Sequence, residues 1–158
     1  MPGFELFGEA ERNEVNDVLQ SGVLMRYGFD GMRNGHWKAK DLERELQKQL
    51  KVKHAQLVSS GTAAVSVALA TAGIGAGDEV IMPTFTFVAS FEAIMMLGAI
   101  PVLVDIDPIH FTISPECIQN AITEKTKAVI PVHLYGQPAD MGEVMKIAEE
   151  RNLFVVED

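Results

Sequence analysis

The sequence predicts an α/β fold: a mostly parallel sheet with helices on both faces, preceded by an N-terminal helical arm. Two observations carry this. From His54 onward, short apolar runs alternate with segments of helical periodicity, the pattern of a sheet built from βαβ units. The chain also closes on Leu153-Phe154-Val155-Val156-Glu157-Asp158, an apolar run that reads as a buried parallel strand ending in a carboxylate.

Residues 1–53 form the arm. They hold nine of the 13 Lys and Arg residues, the single Trp37 and two amphipathic stretches. The second of these, residues 40–51, places Leu42, Leu46 and Leu50 on one face. Between the stretches, residues 26–36 contain Gly28, Gly31 and Gly35 and read as an irregular loop. Residues 54–158 form the sheet domain. Strands are expected at 54–58, 79–82, 100–105, 127–133 and 153–158, and helices at 62–72, 87–97, 115–122 and 141–150. Gly73, Gly75 and Gly77 end the first of these helices, Ser114-Pro115 supplies an N-cap and a first-turn proline, and Asp140 with Glu143 makes a capping box.

Composition narrows the function. A formal net charge of -9 disfavours a nucleic-acid groove or an anionic membrane surface, since both call for a basic face. A small ligand is the better expectation. Cys117 is the only cysteine, which excludes an intrachain disulfide and a multi-cysteine metal site. The longest apolar stretch, residues 93–104, is interrupted by Gly98 and Pro101 and falls short of the roughly 20 residues a membrane span needs. With no leader pattern at the N-terminus, a cytoplasmic protein is expected.

The candidate chemistry sits where strands give way to helices. Ser59-Ser60-Gly61-Thr62-Ala63-Ala64 opens the first helix of the sheet domain. The first N–H groups of a helix lack intrahelical partners and lie at its positive end, so they can hold a phosphate. Gly61 admits the anion closely and Thr62 adds a hydroxyl, although a plain Ser/Thr N-cap explains the same residues. Asp158 falls on the same sheet edge. A phosphate site and a carboxylate there suit pyridoxal phosphate, whose ring nitrogen must stay protonated, while a solvated chain end is the alternative. In Pro83-Thr84-Phe85-Thr86-Phe87-Val88, Phe87 is a candidate to stack on a flat ring or to pack in the core. His133 reads as a structural histidine or a cofactor contact. Asp105 and Asp107, followed by Pro108, read as a turn in preference to a metal pair.

Five of these segments together resemble a known family: Ser60-Gly61-Thr62-Ala63-Ala64, Gly77-Asp78-Glu79-Val80-Ile81, Phe85-Thr86-Phe87-Val88-Ala89, Ile130-Pro131-Val132-His133-Leu134-Tyr135-Gly136 and Glu157-Asp158. Their order and intervals resemble the DegT/StrS-type sugar aminotransferases, pyridoxal-phosphate enzymes of fold type I. The resemblance implies that the sheet domain is the first part of that fold's large, cofactor-binding domain. It further implies that Thr62 with the backbone of Gly61 and Ala63 holds the phosphate, that Phe87 stacks on the ring and that Asp158 pairs with the ring nitrogen. A homodimer, an amino donor such as glutamate and a keto or aldehyde sugar are implied as partners.

The arm segments Pro2-Gly3-Phe4-Glu5-Leu6-Phe7-Gly8, Arg26-Tyr27, Met32-Arg33-Asn34 and Trp37-Lys38 look like the branch that aminates an eight-carbon sugar acid, a 3-deoxy-octulosonate. In the family, the Schiff-base lysine lies beyond the aspartate, after a further strand. The resemblance therefore predicts that this chain is the N-terminal portion of a larger enzyme and is inactive alone. Lys125, Lys127 and Lys146 do not match that motif and read as solvated surface charges. A sugar dehydratase of the same family, with histidine replacing the lysine, and a non-catalytic phosphate-binding module are the rival readings.

Overall fold

The computed structural model describes residues 3–158; Met1 and Pro2, the latter part of the first arm motif, lie outside the described residues. The chain divides into two compact units between Leu57 and Val58.

The first unit carries helices α1 (Glu9–Ser21) and α2 (Lys38–Leu50) with two short 3-10 turns, Phe4–Leu6 and Asp30–Met32. At the start of α1, the Gly8 N–H donates to the Glu11 carboxylate at 2.7 Å, satisfying a helix-end donor and holding that carboxyl below its ordinary range. Lys38 ties the helices together through Glu14 at 2.5 Å and Asp17 at 2.8 Å. The intervening segment is ordered by its basic and aromatic residues. Arg33 donates to the carbonyls of Gly28 and Met25, and its guanidinium lies 4.7 Å from the Trp37 ring centroid, while the Trp37 indole N–H donates to the Arg26 carbonyl at 3.0 Å.

Helix α2 departs from the expected leucine stripe. Leu42 and Leu50 are 49% and 66% exposed, whereas Glu43 is only 5% exposed. The reason is a polar cluster around the buried Glu43, whose carboxylate accepts from Arg26 at 2.7 Å and from the Leu57 N–H at 2.7 Å. The Arg26 hydrogen bond, then that of Leu57, holds the Glu43 carboxyl below its ordinary value of 4.5. Above pH 4.5 the carboxylate is charged in the folded and unfolded chains alike, and its contribution is fully present. As pH falls below that value the unfolded chain takes up the proton first, so the contribution fades as pH passes through the lower folded value. Acidification, or Glu43→Ala at neutral pH, is expected to lower the hydrogen-exchange protection of the Leu57 amide. Unchanged protection in both would contradict this account.

The same contact explains the missing first strand. Residues 54–58 form no strand. A strand exists only where a neighbour takes its backbone groups, and here the Leu57 N–H goes to a carboxylate.

The second unit is a four-stranded sheet in the order β2-β1-β3-β4, with every pair parallel: β1 Glu79–Pro83, β2 Ile100–Val104, β3 Thr126–Val129 and β4 Phe154–Val155. The sheet thus has four strands, one fewer than the sequence suggests. Alternate side chains of β1 feed two cores. Val80 and Met82 pack with Val65 and Leu69 of α3 (Gly61–Thr71) and with Ala93 and Ile94 of α4 (Val88–Met96). Ile81 packs on the other face with Ile118 of α5 (Pro115–Ala121) and with Val144 and Ile147 of α6 (Met141–Arg151). Both faces are therefore covered, as a parallel sheet requires. Gly98 makes the turn from α4 toward β2 at a φ of 72°, a conformation that favours glycine.

Strand β3 stops at Val129, short of the expected 133. Pro131 has no N–H to give a ladder. The backbone pairing nevertheless continues: the Val156 N–H donates to the Val129 carbonyl, the Asp158 N–H to the Pro131 carbonyl and the His133 N–H to the Asp158 carbonyl, at 3.1, 3.0 and 2.9 Å. No helix among the described residues is long and apolar enough to cross a membrane.

Candidate cofactor site

Space order β2-β1-β3-β4 reverses direction at β1, and in open α/β sheets ligands bind beside such a point at the carboxyl ends of strands. A cleft of about 380 Å³ opens there. Its walls are Gly61, Thr62 and Val65 from α3; Thr86, Phe87 and Ala89 after β1; Val132, His133, Leu134 and Tyr135 after β3; and Asp158 after β4.

Each expected site residue has a definite place. Ser60 caps α3, its hydroxyl oxygen accepting from the Ala63 N–H at 3.1 Å. Ala63, expected to present that N–H to a phosphate, instead spends it on the cap and does not line the cleft. The N–H groups of Gly61 and Thr62 have no protein acceptor among the described residues. Nothing stands within 4 Å of a Cβ built on Gly61. Phe87 is 75% exposed and is not part of the core. Asp158 is fixed through its backbone by the β3 extension, and its Oδ2 accepts from the Ser90 hydroxyl at 2.5 Å.

His133 is satisfied on both ring nitrogens. Its Nδ1 accepts from the Ala139 N–H at 3.1 Å, which places the proton of a neutral ring on Nε2, 2.9 Å from the Glu157 carboxylate. The histidine therefore fastens the loop after β3 to the end of β4. Asp107 makes a turn: its Oδ1 accepts from the Ile109 and His110 N–H groups at 2.9 and 2.7 Å, and the His110 N–H does most to hold its carboxyl low. Of the three lysines set aside in the sequence, none lines the cleft, and Lys146 pairs with Glu143 on the surface.

Two features escaped the sequence. Ser90 is fully buried beneath Asp158, and Tyr135 reaches the cleft from a left-handed backbone, φ 53°. The local signal for Ser90 was its place three residues after Phe87, within one turn of the strand-end motif, and this does not reveal its partner.

Comparison with known proteins agrees with the fold. GDP-perosamine synthase of Escherichia coli O157:H7 is 47% identical over 148 residues, which cover 94% of this chain and 38% of that protein. Among solved structures, 3-amino-5-hydroxybenzoic acid synthase superposes with a TM-score of 0.87 at 36% identity, covering 96% of this chain and 38% of the other. A Streptococcus pneumoniae protein in its PLP form gives 0.81 at 37% identity, covering 95% of this chain and 36% of the other. The chain thus spans well under half the length of the relatives it matches. With residues 6–158 matching its pattern, the chain belongs to the DegT/DnrJ/EryC1/StrS aminotransferase family.

Proposed function

We propose that the cleft holds pyridoxal phosphate and that the protein carrying these residues transfers an amino group from an amino acid, glutamate in particular, to a keto or aldehyde sugar. The observation that carries this reading is the meeting of Gly61, Thr62, Phe87 and Asp158 in one cleft from positions far apart in the chain.

The donor set fits the cofactor. Two unpartnered N–H groups at the positive end of an 11-residue helix, with the Thr62 hydroxyl beside them, suit a phosphate dianion. The exposed Phe87 ring suits a flat heterocycle. The Asp158 carboxylate has one oxygen engaged by Ser90 and one left for the ring nitrogen. When bound, the cofactor supplies the carbonyl or amine that carries the amino group and a conjugated ring that accepts electrons. Gly61 and Thr62 anchor its phosphate, Phe87 covers a ring face, Val65 and Val132 supply apolar wall, and Asp158 keeps a proton on the ring nitrogen by favouring its charged form. The lysine that carries the cofactor belongs to the remainder of the enzyme in this reading, as does the rest of a homodimeric assembly.

Glutamate leaves as 2-oxoglutarate, and the sugar carbonyl becomes an amine. The arm motifs favour an eight-carbon 3-deoxy-octulosonate with a carbonyl at C8 as acceptor. Full-length protein given glutamate and a panel of keto and aldehyde sugars is expected to release 2-oxoglutarate with that acceptor. Release with none of them would overturn the reading. Thr62→Ala should raise the dissociation constant for the cofactor roughly tenfold, since a hydrogen bond to a charged group contributes about 1.5–3 kcal/mol. Equilibrium titration of the two proteins checks this, and equal affinities would remove Thr62 from the phosphate site.

A further inference from the structure

Ser90 carries a fully buried hydroxyl whose partner, Asp158, faces the cleft. It lies in α4, whose N-cap residue is Phe87, so a single helical turn carries both the exposed aromatic ring and the hydroxyl beneath Asp158. The Ser90 hydroxyl has one proton to donate, and the 2.5 Å contact with Asp158 Oδ2 claims it because an ionised carboxylate only accepts. The Thr86 hydroxyl, 3.4 Å away, then stands as donor to Ser90, giving a chain of hydroxyls from Thr86 through Ser90 to the carboxylate.

The backbone of Asp158 is already pinned on both sides by Pro131 and His133. What remains free is rotation of its short side chain, and the Ser90 contact removes that freedom. A fixed carboxylate favours a charge in one place without reorganising when the charge appears.

We infer that Ser90 is a positioning residue: by holding Oδ2 of Asp158 it turns Oδ1 toward the ring nitrogen of the bound cofactor. The inference rests on the cofactor placement proposed above. Ser90 itself does not touch the cofactor, so its effect is confined to the interaction made by the ring nitrogen.

The test compares binding of pyridoxamine phosphate with its 1-deaza analogue, in which a C–H replaces the ring nitrogen, to the full-length protein and its variants. The native protein is expected to prefer the nitrogen-bearing ligand. Ser90→Ala should reduce that preference about tenfold while leaving affinity for the deaza analogue unchanged, the size expected for a hydrogen bond to a charged group. Ser90→Cys, which keeps the buried volume but donates weakly, should reduce it as well and provides the readout if Ser90→Ala does not fold. A preference retained in the variants, or equal weakening of both ligands, would overturn the inference and leave Ser90 as packing. Asp158→Ala separates the two levels: if it leaves the preference intact, the cofactor placement itself fails, and the role of Ser90 falls with it.

Discussion

Asp158→Ala is expected to reduce aminotransferase turnover of the full-length enzyme on the order of 100-fold, the scale seen when one preorganised electrostatic partner is removed from a reacting centre. The side chain's hydrogen bond goes to Ser90 of α4 and α3 has its own cap at Ser60, so the N–H groups of Gly61 and Thr62 should remain in place and most phosphate anchoring should survive. The loss should therefore appear in the rate at saturating cofactor more than in cofactor affinity. A direction with pH follows. Without the carboxylate the ring nitrogen gives up its proton more readily, so the variant should lose activity at a lower pH than the parent on the alkaline side. Single-turnover rates across pH for the two proteins check both points, and a variant as fast as the parent would place the ring elsewhere.

Leu69→Ala should act through stability instead. Leu69 is fully buried where α3 meets the sheet, in a cluster with Val80, Met82 and Ile94. Truncating a buried leucine costs about 2–5 kcal/mol, the transfer term plus the cavity that remains. That is a large share of the stability of a typical domain. Urea unfolding without cofactor measures it. The helix that carries the anion-binding end also loses its anchor, so cofactor affinity should fall together with stability, whereas Thr62→Ala should lower affinity alone. A loss below about 0.5 kcal/mol, the usual scale of a surface change, would contradict the packing described.

Periodicity and strand ends made much of this legible in the sequence. Helices α3 to α6 follow from apolar spacing and their caps, and β1 and β2 from compact apolar runs, because these signals are local. The segment 54–58 has the same apolar character, yet a strand depends on a partner elsewhere in the chain, and the Leu57 N–H is bound to Glu43. Arg26 and Glu43 are 17 residues apart, so burial of a carboxylate on α2 in place of a leucine had no local signature. At the site, the rule that ligands gather at strand ends, together with the family resemblance, pointed to Gly61, Thr62, Phe87 and Asp158, and these four line one cleft. The Ala63 N–H has two candidate acceptors, a ligand or the Ser60 hydroxyl that takes it here, and composition does not choose between them. Ser90 was overlooked because a serine among apolar helix residues gives no sign that its partner lies 68 residues away.

The central claim is the position of the cofactor, and a crystal structure of the full-length protein with pyridoxamine phosphate tests it most directly. The account predicts phosphate oxygens within hydrogen-bond reach of the Gly61 and Thr62 N–H groups, the ring against Phe87 and the ring nitrogen facing the Asp158 oxygen that Ser90 leaves free. A phosphate bound away from the N-terminus of α3, or a ring nitrogen turned away from Asp158, would contradict it.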